Sequence, residues 1–471
     1  MDTHDKPEDG AAGPDGAQNT QDAESGEFPR PSFRPLGERL KEIRRIRPDF
    51  SGLLRDVRRE SAETGGQLLA FLKWVLIAAA LGLFIGGVSV AFDYSVDFAT
   101  SFRKSHDWIL WLLPLGGVAI VLLYKLCGLE KDRGTDLMLM AVRSTEQVTI
   151  KIAPLIFIST FVTHFVGGSA GREGAALQLG GSIGGKFGRL LHMDDKDLRI
   201  MTMCGMSAAF SALFSTPVAA VVFSMEVVSV GVMYYAALIP CTVSAIVGFW
   251  LATVCGVDPL RFTLAALPAF DLLSLGKVLL LGALCAAVSI LFCQVIHTAG
   301  RWYARLIPQP VVRAAVGGGL VLLLTFIAGS RDYNGIGMDV IRRALGGEAR
   351  PEAFILKLLL TALTLGAGFK GGEIVPAFFI GATFGNVMGG LLGLDPAFGA
   401  ALGMVALFCG VTNCPLTSLL LSVELFGAPG LLFFAVATAV SYMLSGYYGL
   451  YREQKILYSK IRPEFIDKKA R

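Results

Sequence analysis

The sequence predicts an all-α polytopic membrane protein of two structurally repeated halves, with helices that are partly broken and only partly spanning; that the halves are inverted is the expectation for transporter repeats of this class, not a reading of the repeat itself. Three observations carry the fold prediction. Hydrophobic residues make up 53% of the 471 positions and charged residues only 17%, with a mean hydropathy of +0.58, far from a soluble average. A lone carboxylate, Glu173, stands inside a glycine-rich run over residues 167–185. Finally, a block of the first half recurs in the second.

Apolar spans near 68–97, 108–126, 216–253, 272–297, 311–328 and 429–448 approach or exceed the roughly 20 residues that cross a bilayer. Between them, 135–143, 147–165, 173–190, 353–368, 375–392 and 397–425 are interrupted by Gly and Pro. Broken helices of that kind build midplane binding sites in transporters, because their free backbone ends must face protein or a water-filled cavity. No long polar interval divides 68–450, and 55 glycines suit close helix packing in lipid. The expected organisation is an N-terminal tail over 1–66, a first membrane half over 67–256, a second over 257–465 and a C-terminal tail over 466–471.

The net charge of +4 conceals an asymmetry. Residues 1–27 carry eight acids against Lys6, a composition of disorder, and residues 28–60 carry ten Arg/Lys against five acids. The basic run abuts the first apolar span, which fits a positive-inside flank or an interfacial helix rather than nucleic-acid binding. Residues 452–471 again hold seven bases against three acids, so both termini are expected to be cytoplasmic. The polar, acidic start is not that of a secretory leader. The eight cysteines and five histidines are scattered without disulfide or zinc spacing, so no metal site and no cofactor is expected. His164, before Glu173, reads as a packed or capping histidine.

Gly205-Met206-Ser-Ala-Ala-Phe210 recurs as Gly403-Met404-Val-Ala-Leu-Phe408, and Pro217/Pro415, Ser224/Ser422 and Glu226/Glu424 keep the same offset of 198. Upstream, at an offset of 200, Gly171-x-Glu173 matches Gly371-x-Glu373, and Gly181 and Gly185 match Gly381 and Gly385. A carboxylate at membrane depth is costly and by default functional. Glycines on either side of Glu173 let backbone approach a ligand, and a helix start there offers free N–H groups to an anion. An anion site beside a titratable group suggests anion movement linked to protons.

Gly171-Arg172-Glu173-Gly174-x-x-x-Gln178 resembles the central signature of the CLC family of anion channels and proton-coupled antiporters. Phe369-Lys-Gly-Gly-Glu-Ile-Val-Pro376 is similar to its Gly-x-Phe-x-Pro signature, whereas Gly134-Thr135-Asp136-Leu137-Met138 matches its Gly-Ser-Gly-Ile-Pro signature poorly. The resemblance covers roughly 68–465. It implies a homodimer with an anion pathway in each subunit, Glu173 as a gating glutamate that shuttles protons, and Tyr451 as a hydroxyl donor to the anion, with Tyr447 and Tyr448 as alternatives. Chloride antiporters of the family carry an internal proton glutamate one residue after the position of Glu226, where Val227 stands here. Glu373 and the runs at 163–174 and 368–373 resemble the fluoride-exporting branch most. Against that branch, Val375 stands where a threonine is often found.

The chemistry is coherent on its own terms. Fluoride is small and strongly hydrated, so a site must replace its water with short hydrogen bonds. Backbone N–H groups at Gly171, Arg172, Gly174, Gly372 and Ile374, the nearest hydroxyl of the first signature at Thr135, and Tyr451 are the expected anion donors. Burial disfavours the charged form of a carboxylate, so Glu173 and Glu373 are expected to gate and to carry protons, Glu373 standing in for the carboxylate missing at Val227. The Arg172 and Lys370 side chains read as vestibule residues, and Glu226 and Glu424 as hydrogen-bonding structural carboxylates. The expected function is a fluoride/proton antiporter of the cytoplasmic (inner) membrane. The alternative is a chloride-selective antiporter or passive chloride channel. An enzyme using Glu173 and Glu373 as an acid/base pair is not expected, since it needs a metal constellation or activated nucleophile and no His-Glu-x-x-His zinc pattern is present.

Overall fold

A computed structural model of the chain describes residues 50–471, apart from 131, 145–147 and 265–266. The acidic stretch 1–27 and much of the basic stretch 28–60 lie outside the described residues. The chain divides into two units at Gln67/Leu68, of which the second, Leu68–Arg471, carries everything discussed below. Its helices are α1 (Phe50–Ser105, entering from the first unit), α2 (Leu113–Leu126), α3 (Thr135–Arg143), α4 (Ile152–Val166), α5 (Glu173–Leu190), α6 (Asp195–Phe214), α7 (Pro217–Glu226) and α8 (Leu238–Val254). After a non-helical stretch come α9 (Leu272–Leu306), α10 (Pro310–Ile327), α11 (Met338–Leu345), α12 (Ala353–Gly366), α13 (Ile374–Leu391), α14 (Pro396–Thr412), α15 (Pro415–Phe426) and α16 (Leu431–Leu444).

Six helices among the described residues are long and apolar enough to cross a membrane: 65–105, 107–126, 235–254, 272–306, 310–327 and 374–391. Two expected spans differ. Residues 216–253 divide into α7 and α8, because Gly231 takes φ +92° and the chain turns between them. Residues 429–448 supply only the 14-residue α16, while α13 qualifies in its place. The stretch 397–425 is likewise two helices. Asn413 adopts the left-handed conformation that ends α14, and Pro415 starts α15 at the position where a missing N–H costs nothing.

The chain is not wholly helical. Strands β1 (Ser229–Val230), β2 (Lys455–Tyr458) and β3 (Phe465–Lys469) form a small sheet, with β1–β2 parallel and β2–β3 antiparallel. Residues 466–471, expected as a tail, are therefore mostly strand. The β ladder, together with the bonds Arg471 N–H to Tyr447 O (2.8 Å) and Gly449 N–H to Arg471 O (3.2 Å), ties that end down.

The repeat is visible as two inverted helix sets. Glu226, ending α7, accepts from the N–H groups of Leu416 (3.1 Å) and Thr417 (2.9 Å) and from the Thr417 hydroxyl (2.6 Å), at the start of α15. Glu424, near the end of α15, accepts from Val218 (2.9 Å) and Ala219 (2.8 Å), at the start of α7. Each helix thus ends beside the start of the other, so α7 and α15 run antiparallel. Each carboxylate satisfies N-terminal amides that have no partner within their own helix and interacts favourably with that helix dipole. This is the structural role expected of both.

The register of the signature helices differs from the sequence match by one residue. Helices α5 and α13 begin at Glu173 and Ile374, an offset of 201. Gly180 faces the backbone of Gly205 as Gly381 faces that of Gly403, and Gly184 faces Met201 as Gly385 faces Gly399. The match at an offset of 200 was degenerate because doubled glycines at 180–181 and 184–185 fit either register. Glu373 is therefore the counterpart of Arg172, each being the residue before its helix, and not of Glu173.

The cross-capping makes a ranked prediction. Glu226→Ala leaves two amides and a hydroxyl unpaired in a buried place, so it should cost about 2–3 kcal/mol. Glu424→Ala, with two amides in a more open place, should cost about 1 kcal/mol. Thermal unfolding of the detergent-solubilised protein followed by size exclusion checks the order; a larger loss for Glu424→Ala would contradict it.

Candidate anion and proton site

The two glycine-rich loops meet as a two-residue antiparallel pair. Gly171 N–H donates to Gly372 O and Gly372 N–H to Gly171 O, both at 2.7 Å. Glycine is needed here for proximity: a side chain on Gly371 would begin 2.6 Å from Ala170 Cβ and 3.0 Å from Gly171 O. The crossing points two helix starts, α5 and α13, into one region. It also corrects an expectation. Gly171 and Gly372 spend their N–H groups on each other, so neither has its amide free for an anion.

Glu173 is buried, with 2% of its surface exposed. Its Oε2 accepts from Arg172 N–H at 2.9 Å, and the carboxylate lies near the Val375 backbone in the first turn of α13. The carboxylate thus lies across both helix starts, the place that their dipoles favour for negative charge. Amides of the first turn have no intrahelical partner, so Arg172, Gly174 and Ile374 remain the backbone donors of the expected set, the Arg172 amide being held by Glu173 itself.

Other expected residues are placed as follows. The Arg172 guanidinium turns away to pair with Asp93 and Asp97 of α1, the latter at 3.1 Å, so only its amide serves the site. The Thr135 hydroxyl donates to Gly174 O at 3.3 Å and accepts from Gln178 Nε2 at 3.4 Å, which binds it to the α5 backbone. Tyr451 is 2% exposed and its hydroxyl has no partner among the described residues, whereas Tyr447 is bonded to Ser459 at 3.0 Å. Of the three candidate tyrosines, Tyr451 is the buried one, Tyr447 and Tyr448 being partly exposed. Lys370 is paired with Asp132 at 2.7 Å and stacked over Tyr124, rather than facing an open mouth alone. Buried Val227 gives its carbonyl to Gln454 Nε2 at 2.9 Å.

Glu373 is half-buried, and its Oε2 is enclosed with no partner among the described residues. A side chain on Gly174 would begin 3.3 Å from that oxygen and 3.2 Å from Thr135 Oγ1, so Glu373, Thr135 and the start of α5 converge on one point. Beside it lies Asp136, whose Oδ1 accepts from Glu453 N–H at 3.1 Å. Glu453 belongs to the segment after the last helix, where Lys469 at 2.6 Å holds its carboxyl below the usual range. In the sequence Asp136 stands only as a departure from the Gly-Ser-Gly-Ile-Pro signature, and nothing local marks it as a partner of the Glu453 backbone.

Two Gly-x-Ser-x-Gly stretches, 167–171 and 180–184, carry the pattern of a hydrolase nucleophile. Neither serine is poised as one. Ser169 Oγ donates to Tyr333 O at 2.8 Å and Ser182 Oγ to Leu179 O at 3.0 Å, both fully buried. His164 Nε2 faces Gly171 O at 3.4 Å rather than a serine. Among the described residues no group of His, Cys, Asp and Glu is arranged to hold a metal.

Comparison with known proteins agrees with this architecture. The family model described as voltage gated chloride channel matches residues 116–446. A chloride/fluoride channel protein of Pseudomonas syringae pv. tomato is 34% identical over 395 residues, covering 82% of this chain and 87% of the relative. The crystal structure of a CLC-type fluoride/proton antiporter superposes with a TM-score of 0.79 at 30% identity, over 81% of this chain and 98% of that one. A slow cyanobacterial Cl⁻/H⁺ antiporter shares the fold, with a TM-score of 0.67 at 21% identity over 79% of this chain and 94% of that one. With a matched model spanning most of the chain, crossed signature loops and inverted halves, the chain belongs to the CLC family, the voltage gated chloride channel family of membrane proteins.

Proposed function

We propose that this protein is a fluoride/proton antiporter that exports fluoride across the inner membrane, as a homodimer with both termini cytoplasmic. The observation that carries the reading is the carboxylate of Glu173 lying across the starts of α5 and α13, where it is bound as an anion would be. A mobile anion and this carboxylate compete for the same amides. Protonation removes the charge that holds Glu173 there, and the side chain swings away as the anion takes its place. Exchange follows, because occupancy by the anion and ionisation of Glu173 are mutually exclusive.

Glu373 supports the coupling. Its unpartnered oxygen faces the start of α5, close to Glu173 along the chain fold, and Asp136 stands between it and the polar segment around Glu453. Protons reach Glu173 by way of Glu373, which assumes the task of the family carboxylate missing at Val227. Tyr451 supplies the hydroxyl donor. Val375 supplies an amide and no hydroxyl, so the hydroxyl contact at this position is lost and Tyr451 is the remaining side-chain donor. The fluoride/proton antiporter that this chain resembles, and the chloride/fluoride relative, favour fluoride as the anion.

Proteoliposomes loaded with fluoride or chloride, followed by an anion electrode and external pH together, test this. Fluoride efflux with proton uptake is expected. Glu173→Gln should abolish exchange, and Glu373→Gln should abolish proton uptake. Chloride efflux of similar size without a pH change would instead make the protein a passive chloride pathway. Tyr451→Phe removes a buried hydroxyl without a partner, so stability should be unchanged or higher by up to about 1 kcal/mol. The same variant should weaken fluoride affinity roughly tenfold, the worth of about 1.4 kcal/mol, as read by the concentration dependence of flux.

A further inference from the structure

A cavity of about 630 Å³ opens beside the end of α1, lined by Asp93, Asp97, Arg103, Arg172, Arg331 and Asp339 among others. Nearly all of its charges are paired. Arg172 is joined to Asp93 and Asp97, Arg331 to Asp107, Lys104 and Arg342 to Asp339, and Asp332 to Arg343. Of the rest, Asp258 is exposed at the rim. Arg103 is the deep exception. It is 6% exposed and lines the cavity, and among the described residues no carboxylate reaches it.

The setting of Arg103 is built rather than incidental. Its Nε donates to His164 O at 3.1 Å, which fixes the plane of the guanidinium, and among the described residues neither terminal nitrogen has a hydrogen-bond acceptor. The group lies between two glycine turns. A side chain on Gly335 would begin 2.9 Å from Nη2, and one on Gly167 would begin 3.2 Å from Cδ. Both glycines have positive φ, +64° and +93°, which only glycine adopts at low cost. The walls are tied together by Gly335 N–H to Gly168 O (3.0 Å) and Asn334 Nδ2 to Gly167 O (2.9 Å). Fully buried Lys357 holds the same loop by donating to Tyr333 O (3.2 Å) and Gly335 O (2.6 Å).

We propose that Arg103 forms an outer anion-binding station, which holds a partly hydrated halide between the cavity and Glu173. The station connects to the gate through two residues. Arg172, adjacent to Glu173, lines the same cavity, and His164, whose carbonyl orients Arg103, reaches Gly171 O with its ring. His164 Nε2 faces a carbonyl and so carries the proton, leaving Nδ1 as an acceptor. That Nδ1 is buried and has no partner among the described residues; it lies 4.0 Å from where a Gly335 side chain would begin, a point 2.9 Å from Arg103 Nη2. A water in the shell of an arriving anion donates to it while the anion itself takes the guanidinium N–H groups. Arginine suits the task because it stays charged and is weakly hydrated, so it binds an anion and releases it. The position of the station rests on the cavity alone. The identity of the halide rests on the fluoride reading above.

The test is fluoride uptake into proteoliposomes against external fluoride concentration, at constant ionic strength. Arg103→Gln should raise the apparent KM by roughly fivefold or more, the scale of electrostatic capture. Its maximal rate and anion-to-proton ratio should stay near those of the unaltered protein. Arg103→Lys keeps the charge and should recover most of the affinity, and lowering ionic strength should accelerate uptake in the unaltered protein more than in Arg103→Gln. An unchanged KM and salt response in a folded Arg103→Gln would overturn the station. If Arg103→Gln does not fold, Arg103→Lys with an unaltered salt response supports it, and a lost response overturns it. If the unaltered protein carries chloride and no fluoride, the same KM shift is expected for chloride, so the fluoride reading fails separately from the station.

Discussion

Two backbone hydrogen bonds, each 2.7 Å, between Gly171 and Gly372 are the constraint on which the rest of this molecule depends. They cross two loops from opposite halves within a few ångströms. Because each loop runs straight into a helix, the crossing aims two helix starts at one place. Unsatisfied amides and the positive ends of two dipoles then coincide. A region that would otherwise repel charge in a membrane becomes one that favours negative charge. Glu173 fills it with its own carboxylate, and everything proposed about exchange is a consequence of that occupancy.

The inverted repeat is what allows such a crossing. Helices α7 and α15 cap each other with Glu226 and Glu424, and glycines at 180, 184, 381 and 385 let α5 and α13 pack backbone to backbone against α6 and α14. Within lipid, apolar burial does not distinguish one helix arrangement from another as it does in water. Close glycine packing and carboxylate caps are the directional terms that remain. They hold the halves in one relation, so the loop crossing is set by structure on both sides of it.

Much of this was legible in the sequence, for identifiable reasons. The costs that make Glu173 conspicuous, a carboxylate among glycines in an apolar chain, are local. The repeat over 205–226 and 403–424 was readable because Phe, Pro, Ser and Glu cannot slide against one another. The glycine helices gave no such anchor, and the register there slipped by one residue, which wrongly paired Glu373 with Glu173. The anion donors were overcounted for a different reason. A free amide and an amide bonded to the opposite loop look identical in sequence, so the mutual pairing of Gly171 and Gly372 was invisible. Arg103 and Lys357 were invisible too, since each lies in an ordinary apolar helix and gains meaning only from the turn at 333–337 that closes on it.

Exchange as proposed requires that Glu173 and the anion compete for one set of amides. Calorimetric titration of fluoride into the purified protein and into Glu173→Gln, repeated across a range of pH, measures that competition directly. The account predicts that the unaltered protein binds fluoride more tightly as pH falls, because protonation of the carboxylate vacates the site. It predicts that Glu173→Gln binds fluoride tightly with little dependence on pH. Equal affinity in the two proteins at every pH would contradict it, since the carboxylate would then not occupy the place of the anion.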